Sequence, residues 1–116
     1  MNKLKVIKVN DNVEFDNGCQ LYSDHSQDCC ESHYLDFTHI KLEDFEGLEF
    51  DLSNDNFFTR IEDYGISLNP TNGFPVRIPG YGYNNGYYSH ELTLILTNNK
   101  DFTKSYDITD CQVIND

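Results

Sequence analysis

The chain reads as a mainly β protein: a single small domain, residues 1–116, built on a curled antiparallel sheet with one or two short helices. Three observations predict this. Apolar residues alternate with polar ones on both sides of two Asn-Gly turns, in Asp16-Asn17-Gly18 and Asn84-Asn85-Gly86. Eight Phe and eight Tyr bring aromatics to 14% of the chain, too many for a disordered sequence. With 116 residues and no internal repeat or linker, there is room for one core.

The elements follow in order. Val13-Glu14-Phe15 and Cys19-Gln20-Leu21 flank the first turn. A two-residue loop would set Phe15 against Gln20, apolar against polar. A three-residue loop sets Phe15 against Cys19 and Val13 against Leu21, with Gly18 left-handed, so matching of faces selects it. A short helix is expected at Leu42 to Glu46, ended by Gly47. Leu48, Phe50 and Leu52 alternate, as do Ile66 and Leu68, and Asn69-Pro70-Thr71-Asn72-Gly73 marks a turn.

The same face-matching at Asn84-Asn85-Gly86 predicts a hairpin over residues 74 to 97, pairing Ile78 with Leu92, Val76 with Leu94 and Phe74 with Leu96. Pro75 and Pro79 place its first strand at an edge or make it irregular. In this register Gly80 and Gly82 face His90 and Tyr88, leaving a shallow pocket or room for another segment. Tyr83 then pairs with Tyr87, and Tyr81 with Ser89. Tyr106, Ile108, Cys111 and Val113 suggest a last strand broken near Asp110.

Twenty acidic residues against eight basic ones leave a net charge of −12. Phosphate backbones are held by Lys and Arg, so direct nucleic-acid binding is excluded as the expected role. Between Glu43 and Asp63 lie Glu43, Asp44, Glu46, Glu49, Asp51, Asp55, Glu62 and Asp63, with Arg60 the only cation. Such a run is either a solvated face that keeps the protein soluble or a surface aimed at a basic partner, such as the nucleic-acid groove of a host enzyme. There is no 18-residue apolar run, so no membrane span is expected. Met1-Asn2-Lys3-Leu4-Lys5 leads into alternation rather than an apolar segment, so no signal peptide is expected and the cytosol is the simplest location.

That compartment favours reduced cysteines, although Cys19 and Cys111 remain a conceivable pair. Asp24-His25-Ser26-Gln27-Asp28-Cys29-Cys30-Glu31 concentrates metal-ligand types. His25, Cys29 and Cys30 are the candidate zinc ligands, with His33 nearby, but no second Cys or His pair completes a tetrahedral set. The plainer reading makes one cysteine a small buried hydrophobe and Asp28 and Glu31 the caps of a turn. Neighbouring acids would raise a thiol pKa, which argues against a catalytic cysteine.

His25-Ser26-Gln27-Asp28-Cys29-Cys30-Glu31-Ser32 and Gly82-Tyr83-Asn84-Asn85-Gly86-Tyr87-Tyr88-Ser89 together resemble a family of small phage and bacterial proteins of unknown function. Its members carry a His-x-x-Asp-Cys-Cys-Glu segment early and a Tyr-Gly-x-x-Asn-Gly-Tyr-Tyr-Ser hairpin late. The chain departs from that pattern in having Pro79-Gly80 where an Arg-Trp pair is usual. The resemblance implies a phage or bacterial cytosolic setting and supplies no activity.

Two classes of function result. The first is a non-enzymatic acidic binding protein, in a viral setting an anti-CRISPR-like counter-defence inhibitor of a host protein with a basic surface. Its contact residues would be Glu43, Asp44, Glu46, Glu49 and Asp51, with Tyr81, Tyr83, Tyr87, Tyr88 and His90. The alternative is a small metal-binding or hydrolytic protein using Asp28-Cys29-Cys30-Glu31, with zinc as its cofactor. The early motif and the late hairpin are expected to lie close together, since one small core must hold both.

Overall fold

The first hairpin forms as its face-matching requires. In the computed structural model, which describes residues 3–24, 32–53, 55–83, 91–98, 100 and 102–115, β1 (Val6–Val9), β2 (Val13–Phe15) and β3 (Gln20–Asp24) run antiparallel in succession. Around Asp16-Asn17-Gly18 the Phe15 N–H donates to the Cys19 carbonyl at 2.8 Å, and Val13 faces Leu21. Gly18 holds φ +90°, a conformation that a Cβ would strain. This register buries Val13, Phe15, Cys19 and Leu21 together.

The large hairpin expected over residues 74 to 97 does not form. β7 (Val76–Tyr83) and β8 (Thr93–Thr97) belong to different sheets. β8 lies between β3 and β9 (Thr103–Asp107), giving a sheet of order β1-β2-β3-β8-β9. The second sheet combines β4 (Ser32–Leu35), β5 (Phe58–Ile61), β6 (Gly65–Leu68), β7 and β10 (Val113–Asn115). Apolar alternation is met equally well by these other partners. Ile78 faces Ile66, Val76 faces Leu68, and Leu96 faces Leu21, while Phe74 lies outside the strands at 89% exposure. A strand's pattern states which face is buried, not which neighbour buries it.

Pairing is antiparallel throughout the described ladders except for β10, which runs parallel to β7. β7 meets the expectation of an edge or irregular strand in its first half only. It pairs with β6 along Val76–Pro79 and with both β4 and β10 along Tyr81–Tyr83, so its second half is interior. Pro79 sits at the change of partners, where the missing N–H leaves no gap in a ladder. Its carbonyl accepts the Asp36 N–H at 2.7 Å, and the Gly80 N–H donates to the Tyr64 carbonyl at 2.6 Å.

Both short helices are 3₁₀ turns, Leu42–Phe45 and Asp55–Phe57. Gly47, at φ +79°, turns the chain after the first as expected. Leu48, Phe50 and Leu52 do not make a strand; only Phe50 bridges, to Leu4. The break near Asp110 is present, and it separates β9 and β10 into different sheets. Residues from both sheets share one buried cluster, in which Cys19 and Cys111 are free thiols rather than a disulfide.

Three short turns with one sequence pattern pin the core from outside. In Asp36-Phe37-Thr38, Asp51-Leu52-Ser53 and Asp107-Ile108-Thr109 the carboxylate accepts both the N–H and the hydroxyl of the residue two further on. The residue between is driven into the core: Phe37, Leu52 and Ile108 are all buried. At Asp51 and Asp107 these hydrogen bonds, from Ser53 and Thr109, hold the carboxyl below its ordinary pKa. At Asp36 partial burial acts against the shift, but the bonds from Thr38 and the nearby His39 outweigh it.

A carboxylate with a depressed folded pKa stabilises the fold above its unfolded pKa and loses that effect as pH falls through the folded one. Denaturant midpoints are therefore expected to fall between about pH 5 and pH 3 more steeply in the natural chain than in an Asp36→Asn/Asp51→Asn/Asp107→Asn variant. Asn keeps an acceptor for the turn but does not titrate. Parallel pH profiles of the two chains would show that these carboxylates carry none of the acid sensitivity.

Candidate binding groove

The first 3₁₀ turn, Leu42–Phe45, builds one side of a concave surface. In a 3₁₀ helix positions i and i+3 eclipse, which sets Leu42 and Phe45 on one side of the turn. Phe45 packs inward, 2% exposed, with its ring 6.1 Å from that of Phe50, which in turn meets Phe15 edge-on at 5.7 Å. Leu42 stays 48% exposed as a wall. Between this turn and β1 runs a groove of about 570 Å³ lined by Lys5, Val6, Leu42, Glu43, Phe45, Glu46 and Gly47. Its floor is apolar, and its rim carries two carboxylates against one ammonium.

The expected acidic contact residues divide into two kinds. The carboxylates of Glu43 and Glu46 make no hydrogen bond or ion pair among the described residues and are exposed. Asp44 instead accepts the Lys41 N–H at 2.8 Å, closing the start of the turn, and Asp51 is spent in its own turn. Glu49 is half-buried, its backbone held by the Asn72 side chain and by Thr71. Further on, Asp55 accepts the Tyr106 hydroxyl at 2.9 Å and lies 3.8 Å from the Lys104 ammonium. Burial and that hydrogen bond push the Tyr106 phenol well above its ordinary pKa. Glu62 and Asp63 form the β5–β6 loop, with Asp63 left-handed at φ +59°. The acidic run is thus partly structural, and its free charge at the groove comes from Glu43 and Glu46.

The tyrosine surface differs from the expected one. Tyr81 pairs across strands with Tyr34 of β4, rings 6.0 Å apart, rather than with Ser89. Gly80 does not open a pocket: a Cβ there would meet the Cys111 carbonyl at 2.4 Å. The alternative expectation holds, that another segment fills the space. Tyr87, Tyr88 and His90, the side chain of Tyr83, and the expected zinc ligands His25, Cys29 and Cys30 with Asp28 and Glu31 all lie outside the described residues.

The strands that flank these two motifs are nonetheless neighbours. Asp24 at the end of β3 faces Thr93 at the start of β8, and Ser32 at the start of β4 faces Tyr83 at the end of β7. Beside them His33 is buried, its Nδ1 2.8 Å from the Gln112 Oε1, while the Gln112 Nε2 donates to the Thr109 carbonyl at 2.7 Å. With the Gln112 amide oriented by that second bond, its Oε1 faces the ring and accepts from the His33 Nδ1. Burial pushes the Cys111 thiol pKa up, so it stays protonated and a poor nucleophile. Among the described residues no group of three or more His, Cys, Asp or Glu could hold a metal ion.

Lys5, Val6, Leu42 and Phe45 were not among the expected contact residues. The signal for Leu42 and Phe45 was present in Leu42-Glu43-Asp44-Phe45-Glu46-Gly47, where apolar and acidic residues each recur at i+3 before a helix-ending glycine; Lys5 and Val6 carried none. Compared with protein-family models, with curated proteins and with solved structures, the chain finds no match. No described helix is long and apolar enough to cross a membrane.

Proposed function

We propose that the chain acts by binding rather than turnover, holding a basic protein surface in the groove between β1 and the Leu42–Phe45 turn. The observation that carries this reading is the pairing of an apolar floor with the uncommitted carboxylates of Glu43 and Glu46 at its rim. An exposed apolar wall such as Leu42 gives a partner area to bury, while rim charge sets attraction and orientation. The net charge of −12 acts in the same direction over longer range, drawing cationic partners and repelling polyanions. A host protein with a basic surface, in a phage or bacterial setting, is the partner this reading favours.

Glu43→Lys/Glu46→Lys is the test, because neither carboxylate supports the fold. Capture of a basic partner is expected to weaken at least about tenfold in this variant, with thermal stability unchanged within about 0.5 kcal/mol. Association is also expected to weaken as salt rises, since exposed charges are screened beyond about 8 Å at physiological ionic strength. Reversal of Asp44 or Asp51 would confound the result by removing a hydrogen-bonded turn. Full retention of the partner by the Glu43→Lys/Glu46→Lys variant would remove the groove as the site. Stoichiometric zinc in purified protein, lost with Cys29→Ser or Cys30→Ser, would transfer the reading to the Asp28-Cys29-Cys30-Glu31 segment.

A further inference from the structure

We propose that the groove takes its partner as an added β-strand: an extended, basic segment of another protein pairs with the open edge of β1 at Val6. This rests on the reading of the groove as a site for basic partners, and it assigns the mode of binding.

The direction of the backbone groups carries the argument. Leu4 and Phe50 exchange both of their hydrogen bonds, at 2.9 and 2.8 Å, so the Leu4 backbone points away from β2. One residue on, the Lys5 carbonyl accepts the Asp16 N–H at 2.9 Å and points toward the hairpin. Successive residues of a strand direct these groups to opposite edges, so Val6 points its N–H and C=O outward again, on the side where Phe50 lies. β2 gives the same answer. The Phe15 N–H donates to Cys19, away from β1, which makes Val6 and Phe15 a facing pair that exchanges no bonds.

Antiparallel pairing continued from Leu4 and Phe50 would bring Leu48 opposite Val6. Gly47, left-handed at φ +79°, diverts the chain, and the Leu48 N–H donates back to the Phe45 carbonyl at 3.0 Å. The position beside Val6 is vacated, and the groove occupies it, lined by Val6 and Gly47 themselves. Val6 therefore offers a donor and an acceptor with no partner among the described residues, at the margin of an apolar cleft. Unpaired edge groups of this kind are templates for an incoming strand.

Charge selects the occupant. An arriving strand passes Glu43 and Glu46, which favour Lys or Arg side chains, while its alternate side chains meet Leu42 and Phe45. A second copy of this chain is disfavoured. A second copy would bring its own Glu43 and Glu46 to the interface along with its lysines, where a short basic strand brings cations alone. A helical partner would leave the Val6 groups unpaired.

The experiment uses a fluorescent peptide of about eight residues alternating Arg and Val, long enough for one strand. Two forms carry backbone N-methyl groups on alternate residues, one form for each parity. Strand addition predicts saturable binding to the full chain, weakened about tenfold or more by methylation of one parity and unaffected by the other, because only one set of N–H groups faces β1. Binding must also fall in Glu43→Lys/Glu46→Lys, with its thermal unfolding measured alongside and expected to match the natural chain. If the charge reversal weakens binding but both methylated peptides bind equally, strand addition is overturned and the acidic groove stands. If neither methylation nor charge reversal changes binding, or none of the peptides binds, both readings fail. A concentration-dependent dimer in sedimentation that the peptide cannot dissociate overturns the proposal in favour of a second copy at the edge.

Discussion

Gly65→Ala is expected to prevent stable folding, or to destabilise the protein by about 3 kcal/mol or more where it still folds, the upper range for overpacking. A Cβ on Gly65 would stand 2.0 Å from the Ile78 carbonyl oxygen and 2.8 Å from both the Gly80 nitrogen and the Pro79 Cα. All three atoms are backbone, so no side-chain rotation relieves the clash. Gly65 begins β6 directly opposite Pro79, where β7 changes partners, and the Gly80 N–H reaches past it to the Tyr64 carbonyl at 2.6 Å. Separating the chains there would disturb the β6–β7 ladder and that bond together. Gly18→Ala provides the contrast. Its Cβ has open space but an unfavourable φ, so a loss of only about 1 kcal/mol is expected. Urea denaturation of the two variants checks the ordering; equal losses would mean that the close approach at Gly65 relaxes freely.

Phe50→Ala is the second large effect, with an expected loss of about 3–5 kcal/mol, typical for a buried phenyl ring. Phe50 is 0% exposed and packs between Phe15 of the first sheet and Phe45 of the 3₁₀ turn. The cavity left behind lies directly behind the groove floor, so a second consequence follows. Partner binding is expected to weaken even at temperatures where the variant remains folded, because Phe45 loses the ring that fixes it. Phe50→Leu, which keeps most of the volume, should lose less stability and retain binding. Denaturation midpoints and peptide titration measure the two consequences separately. An Ala variant that binds like the natural chain would show that the floor is positioned by Leu42 and Val6 alone.

The groove also shows why contact residues are harder to read than elements. Glu43 and Glu46 stand in a sequence run with Asp44, Glu49 and Asp51, and composition treats them alike. Separating free carboxylates from turn caps depends on knowing that Asp44 meets the Lys41 N–H and Asp51 meets Ser53. The Asp-x-Ser/Thr turns are local, and their pattern was available in the sequence. Val6 is a different case. Its apolar side chain marks it as core, and it is core at 7% exposure, yet it also lines the groove, where the proposed role falls to its backbone. No side-chain pattern reports that an edge is open.

By itself the sequence determined the β class, the three-residue register of the first hairpin, the helical turn ended by Gly47 and the break near Asp110. Each rests on interactions spanning a few residues: glycine's access to positive φ, the matching of faces across a short loop, and i to i+3 spacing. Tertiary structure decided which strands meet. Val76 and Ile78 could pair with any strand of like pattern, and they went to Leu68 and Ile66 rather than to Leu94 and Leu92. Hydrophobic burial is nondirectional, so it favours every apolar pairing almost equally. The choice is made by what only the assembled chain supplies: Gly65 and Gly80 permitting close backbone approach, β4 and β10 flanking Tyr81–Tyr83, and β3 receiving β8.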